Sequence, residues 1–122
     1  MKKNYCTFYI IRHGETVWNL EGKIQGHKDS PLTKEGEEQT KILSEEFQEI
    51  EFDLIYSSDL KRAKKTAEII NLPRGLNIQT TKLLRERAFG KFEGQKREVL
   101  VEIDKILKKL SPKKRWSYRI DE

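Results

Sequence analysis

A histidine attacks phosphorus only through an unprotonated ring nitrogen, and with an ordinary pKa near 6.5 most of an imidazole is neutral at about pH 7. His13 lies in the run Arg12-His13-Gly14-Glu15-Thr16, whose other members suit that chemistry. Arg12 brings a planar guanidinium able to fork onto two phosphate oxygens, and Gly14 removes a side chain where backbone must approach an anion closely. The run follows directly on the apolar stretch Thr7-Phe8-Tyr9-Ile10-Ile11. A stretch of this kind, stopped by a charged turn that contains glycine, predicts a buried parallel strand. Such a strand delivers its polar residues to the carboxyl edge of a sheet, where α/β proteins bind ligands.

The elements that must position these residues are legible in the periodicity. A loop is expected over 17–31, with Gly22, Gly26 and Pro31 as turn residues. Thr33 is a candidate N-cap for a helix whose Thr40, Leu43, Phe47 and Ile50 recur at helical spacing. Phe52-Asp53-Leu54-Ile55-Tyr56 reads as a second strand. Ser58 or Asp59 would cap the next helix, with Leu60, Ala63, Ala67 and Ile70 on one face. Leu72-Pro73-Arg74-Gly75 breaks that helix, and 77–83, rich in β-formers, reads as a third strand. The β-α-β-α-β order implies a parallel sheet. A loop around 85–94 precedes a last helix over about 96–110, carrying Val99, Ile103, Ile106 and Leu110 on one side. There is no internal repeat and no linker.

At 122 residues the chain has the length of one domain, with 35% hydrophobic and 37% charged residues and a net charge of +5. The charge suits anionic partners. Acidic and basic residues interleave, however, so no single-sign block marks a nucleic-acid track, and the cluster Lys113-Lys114-Arg115 beside Trp116 and Tyr118 reads as a solvated face. The single cysteine, Cys6, cannot form an internal disulfide, and the chain holds no signal-peptide core and no long apolar span. A cytoplasmic protein without membrane or nucleic-acid partners is expected.

Three ordered blocks carry a family resemblance: RHGETVWNLEGKIQGHKDSPLTKEG from Arg12, SSDLKRAKKTA from Ser57, and LRERAFGKFEG from Leu84. Together they resemble the histidine phosphatase superfamily, the phosphoglycerate-mutase-like enzymes. The resemblance implies a three-layer α/β/α fold with a mostly parallel sheet. It also implies phosphotransfer through a phosphohistidine on His13, with Glu86 as general acid and base and with Arg12 and Arg62 holding the phosphate. Asn19 and Gln25 match substrate-contacting amides, and Gly14, Thr16 and Gly26 belong to the same binding segment. No metal and no cofactor are implied, the substrate being a small phosphorylated molecule.

Phosphatase is favoured over mutase by Glu93-Gly94, which resembles the phosphatase branch. A mutase-type transfer and a non-catalytic phospholigand-binding remnant stay open beside it. The family also implies a second histidine on a later strand that lies between the first two. His27 sits in the wrong context to be that residue, so 1–122 is expected to be an incomplete domain.

Overall fold

Two parallel strands form the sheet, β1 (Ile55–Ser58) and β2 (Ile78–Thr81), in a register that runs from Ile55 opposite Ile78 to Ser58 opposite Thr81. Parallel neighbours need a crossover, and helix α3 (Lys61–Asn71) supplies it. Asn71 then closes the return turn: its side-chain amide donates to the Leu76 carbonyl and its Oδ1 accepts from the Leu76 N–H. The chain is therefore α/β, as its pattern implies. These observations come from a computed structural model describing residues 5–117.

Helix α2 (Lys34–Glu46) begins where expected, with the Thr33 hydroxyl accepting from the Gly36 N–H. Its fully buried face is Gly36, Thr40 and Ser44, spaced by one turn; of the expected stripe Thr40 is buried, and Leu43, Phe47 and Ile50 are half-buried. The reason is close approach. A Cβ on Gly36 would strike the Glu15 carbonyl, and one on Gly14 would stand 2.7 Å from the Gly36 carbonyl oxygen. Ser44 Oγ donates to the Ile70 carbonyl at 3.1 Å, joining α2 to the buried Thr66, Ile69 and Ile70 of α3.

The remaining helices are α1 (Val17–Leu20), α4 (Leu100–Lys108) and α5 (Pro112–Ser117), with single 3-10 turns at Lys82–Leu84, Gly90–Phe92 and Arg97–Val99. The expected 17–31 loop thus contains one helical turn. A capping box creates it, because Thr16 accepts from the Asn19 N–H while the Asn19 side chain accepts from the Thr16 N–H. Tyr118 and the side chain of Trp116 lie outside the described residues.

The first apolar run behaves differently from expectation. Residues 7–11 pair with neither β1 nor β2, and Phe8 and Ile10 are 81% and 95% exposed. What holds the run is Tyr9, whose ring meets Phe47 and Phe52 edge-on at 5.7 and 5.5 Å. Alternation puts Phe8 and Ile10 on the opposite face from Tyr9, and no described element covers that face.

Candidate active site

The site is built where the carboxyl end of β1, the turn after the first run and the two loops over 25–33 and 85–94 come together. Gly14 is the junction. Its N–H donates to Thr66 Oγ1 at 3.0 Å, and Thr66 in turn donates to the Arg62 carbonyl one helical turn back. The Glu15 carbonyl accepts from the Thr33 N–H, and the Val17 N–H donates to the Pro31 carbonyl. These bonds hold the turn carrying His13 against the starts of both α2 and α3.

His13 is half-buried, and its Nδ1 lies 2.8 Å from the Gly14 carbonyl oxygen. A carbonyl can only accept, so Nδ1 carries the proton and the neutral ring keeps its lone pair on Nε2. Burial pushes the His13 pKa below 6.5. The Gly14 bond and the Glu86 charge oppose that shift, whereas the Arg62 and Arg12 guanidiniums add to it. Arg12, Arg62 and Glu86, the other groups singled out in the sequence, therefore lie within electrostatic reach of His13.

Arg62 is 3% exposed and its orientation is fixed by three acceptors. Nη1 donates to the Lys28 carbonyl at 2.9 Å and to Asp29 Oδ1 at 2.8 Å, and Nη2 donates to the Gly26 carbonyl at 2.7 Å. A guanidinium has five N–H donors, so Nε–H and one Nη2 hydrogen remain for an anion. Neither Ser58 nor Asp59 caps α3, since Asp29 does so from the loop, accepting the Lys61 N–H at 2.7 Å. Asp59 instead makes a bidentate pair with Arg85, at 2.6 and 2.5 Å, and that pair holds the Asp59 carboxyl below its usual range.

Glu86 follows this anchored arginine. Its Oε1 accepts from the Arg87 N–H, and its backbone carbonyl accepts from His27 Nε2 at 2.9 Å. His27 is thus more than a loop histidine, because it straps the 26–29 segment to the backbone of Glu86. The buried Glu93 carboxylate does the same for its own segment: Oε1 accepts from the His27 and Phe89 N–H groups, and Oε2 from that of Lys28. Burial alone would raise the Glu93 pKa, but the three N–H donors and the nearby His27 hold it below 4.5. Gly26 makes this approach possible, with a left-handed φ of 57° and a Cα against which a Cβ would strike Glu93.

Thr16 and Gln25 are buried, and Thr16 Oγ1 stands 3.0 Å from both Asn19 Oδ1 and Gln25 Oε1. Ser30 Oγ also donates to Gln25 Oε1, at 3.2 Å. The oxygens of both amides are engaged within the loop, which leaves their –NH2 ends as the groups available to an anion. Thr16 has no exposed surface, so it shapes the loop and touches no ligand.

The sequence reading missed Asp29, His27, Glu93 and the Asp59–Arg85 pair. All four act through contacts between segments far apart in the chain. The nearest signal was α3 itself, whose own N-cap position is Leu60 and which therefore needs a cap from elsewhere. Among the described residues no cluster of three or more His, Cys, Asp and Glu side chains is placed to hold a metal ion, and no helix is long and apolar enough to cross a membrane.

In this α/β domain a histidine whose tautomer is fixed by a backbone carbonyl feels two guanidiniums and a carboxylate, a set of groups suited to a phosphate. The chain is a member of the histidine phosphatase superfamily (branch 1), whose family model matches residues 8–119. It is 45% identical over 94 residues to a Salmonella choleraesuis protein named "Probable phosphoglycerate mutase GpmB", a match covering 77% of this chain and 44% of that one. Phosphoglycerate mutase from Bacillus anthracis superposes with a TM-score of 0.73 at 33% identity, covering 88% of this chain and 49% of that one. The alpha-ribazole phosphatase from Shigella flexneri gives 0.71 at 37% identity, covering 78% and 47%. The chain spans about half the length of these relatives.

Proposed function

We propose that the site hydrolyses a small phosphomonoester through a phosphohistidine on His13. The observation that carries this reading is the Nδ1–Gly14 bond of 2.8 Å, which leaves the Nε2 lone pair free beside two cationic side chains. Nε2 attacks phosphorus in line, the N–P bond forms as the ester P–O bond breaks, and the departing oxygen takes the proton of the Glu86 carboxyl. Water then attacks phosphorus, Glu86 receives its proton, and the N–P electron pair returns to Nε2 as inorganic phosphate leaves. Arg12 and Arg62 neutralise charge on the non-bridging oxygens throughout, and the Asn19 and Gln25 amides orient the ester. Cys6 is exposed and unpaired, which fits a reducing compartment such as the cytoplasm.

Mutase-type transfer is the second reading, favoured by the name of the Salmonella relative. It differs only in the acceptor of the second step, a hydroxyl of the product in place of water. Both readings are tested by quenching the chain during incubation with p-nitrophenyl phosphate and mapping acid-labile phosphate to the peptide that contains His13. A label that disappears in His13→Gln supports a phosphohistidine, and a label indifferent to that change overturns it. Chasing the label into inorganic phosphate or into 3-phosphoglycerate then separates hydrolase from mutase. Phosphate binding without any label leaves only the phospholigand-binding role.

A further inference from the structure

We infer that Glu93 is a positioning residue whose carboxylate, by gripping the backbone of Gly26-His27-Lys28, sets the orientation of both Arg62 and Glu86 toward His13. The inference deepens the phosphotransfer reading and rests on it for the roles of those two side chains. Three links carry it. Glu93 accepts from the N–H groups of His27 and Lys28 at 2.9 and 3.1 Å, and from that of Phe89 in its own turn at 2.9 Å. The segment so gripped presents the Gly26 and Lys28 carbonyls, two of the three acceptors that orient the Arg62 guanidinium. The same segment sends His27 Nε2 to the Glu86 carbonyl, so the base of the Glu86 side chain is fixed by the same clamp.

Geometry makes the dependence specific to a carboxylate. Both oxygens face N–H donors, and a glutamine would turn its –NH2 toward the Lys28 N–H, donor against donor. Backbone pairing supports the clamp from outside, with the Gly94 N–H donating to the Ile24 carbonyl and the Ile24 N–H to the Gln95 carbonyl. That pairing keeps the two loops side by side whether or not Glu93 is charged. Losing the carboxylate should therefore loosen the 26–29 segment and leave the rest of the fold in place.

The test uses the 122-residue chain with inorganic phosphate as the probe, and follows the His13 ring protons by NMR across pH. Glu93→Gln is expected to keep a cooperative melt and to bind phosphate about tenfold more weakly, the low end of what removing an outer support of a ligand site costs. The His13 titration should move up toward 6.5, because a loosened Arg62 no longer presses its charge on the ring. Should that variant fail to melt cooperatively, Glu93→Asp keeps the charge but is one methylene too short for all three donors, and the same two changes are expected at smaller size. His27→Ala isolates the other arm. It should leave phosphate affinity unchanged and slow release of an alkyl alcohol from β-glycerophosphate more than release of p-nitrophenol, which needs less protonation. Unchanged phosphate affinity in the Glu93 variants, or weaker binding with an unmoved His13 titration, overturns the inference. A native chain that binds no phosphate overturns the phosphotransfer reading instead, and the His13 titration then still decides the role of Glu93.

Discussion

Thr16 has no surface in solvent, whereas Ile10, a few residues earlier in the same segment, is 95% exposed. The polar residue is inside because its hydroxyl and N–H groups have fixed partners in Asn19 and Gln25. The apolar residue is outside because no described strand or helix covers its face of the 7–11 run. Two regions joined by covalent chain thus follow different physics. The loop side, from Gly14 through Asp29 to Arg62 and Glu93, is knitted by hydrogen bonds between side chains and backbone and needs little sheet to hold its shape. The first run depends on burial and obtains little of it: Tyr9 meets Phe47 and Phe52 but stays 46% exposed, and Ile11 is half-buried. Among the described residues the buried set holds more polar and charged side chains than apolar ones, so polar contacts carry an unusual share of the structure.

The strongest way to break this comparison is to remove an acceptor on the loop side. Asp29→Ala strips the buried Arg62 of its counter-charge and α3 of its cap in one change. A buried charge left unpaired costs about 3–5 kcal/mol, which urea unfolding would register as a large drop in midpoint. A loss near that of an ordinary surface ion pair, under about 1 kcal/mol, would mean that the loop side is held by something other than its polar bonds.

The second test addresses the apolar core behind the site. Ile70 is 5% exposed on α3, under the Ser44 contact, and Ile70→Ala is expected to cost about 2–5 kcal/mol by transfer and cavity terms together. If Asp29→Ala proves the milder of the two, the core ranks above the loops and the comparison inverts. Glycines sharpen the same point from another direction. Gly14 and Gly36 bring the His13 turn against α2 so closely that a methyl on either meets backbone, a constraint as strict as any in the core.

These contrasts also explain what the chain's residues revealed in advance. Local signals were readable: Thr33 does cap α2, the parallel strand pair with a helical crossover is present, and the charges of Arg12, Arg62 and Glu86 are felt at His13. Errors came wherever a partner distant in sequence decided the outcome. Asp29 capped α3 in place of Ser58 or Asp59, Gly36 and Ser44 joined Thr40 on the buried face of α2 while Leu43, Phe47 and Ile50 stayed half-buried, and β1 began at Ile55 where Phe52 was expected. Periodicity records which face a residue would bury. It does not record which segment will lie against that face.

A smaller effect is expected from pH. The folded pKa of His13 lies below its ordinary 6.5, so between those two values the unfolded chain binds more protons than the folded one. The contribution is fully present above pH 6.5 and is lost as pH falls through the folded pKa. Thermal melts across that window should therefore decline toward acid more in the native chain than in His13→Gln. Parallel curves would mean that the imidazole is neither buried nor pressed by Arg62 and Arg12. The same shift keeps Nε2 unprotonated below pH 6.5, so the acid limb of phosphohistidine formation should also fall below that value.

The least expected effect is the most informative about the first run. Ile10→Ser alters a side chain that is 95% in solvent, and such changes usually stay within about 0.5 kcal/mol of neutral. Set beside Ile70→Ala, it compares one residue type in two environments of one molecule. A matching loss of several kcal/mol for Ile10→Ser would show that the exposed face of the run is covered in solution. Concentration then identifies the cover, because a second copy of the chain makes the melting temperature rise with protein concentration, and an intramolecular contact does not. A neutral result with a concentration-independent melt leaves the run as an apolar extension tied to the fold through Tyr9 and the half-buried Ile11, while the loop side keeps its shape by hydrogen bonds.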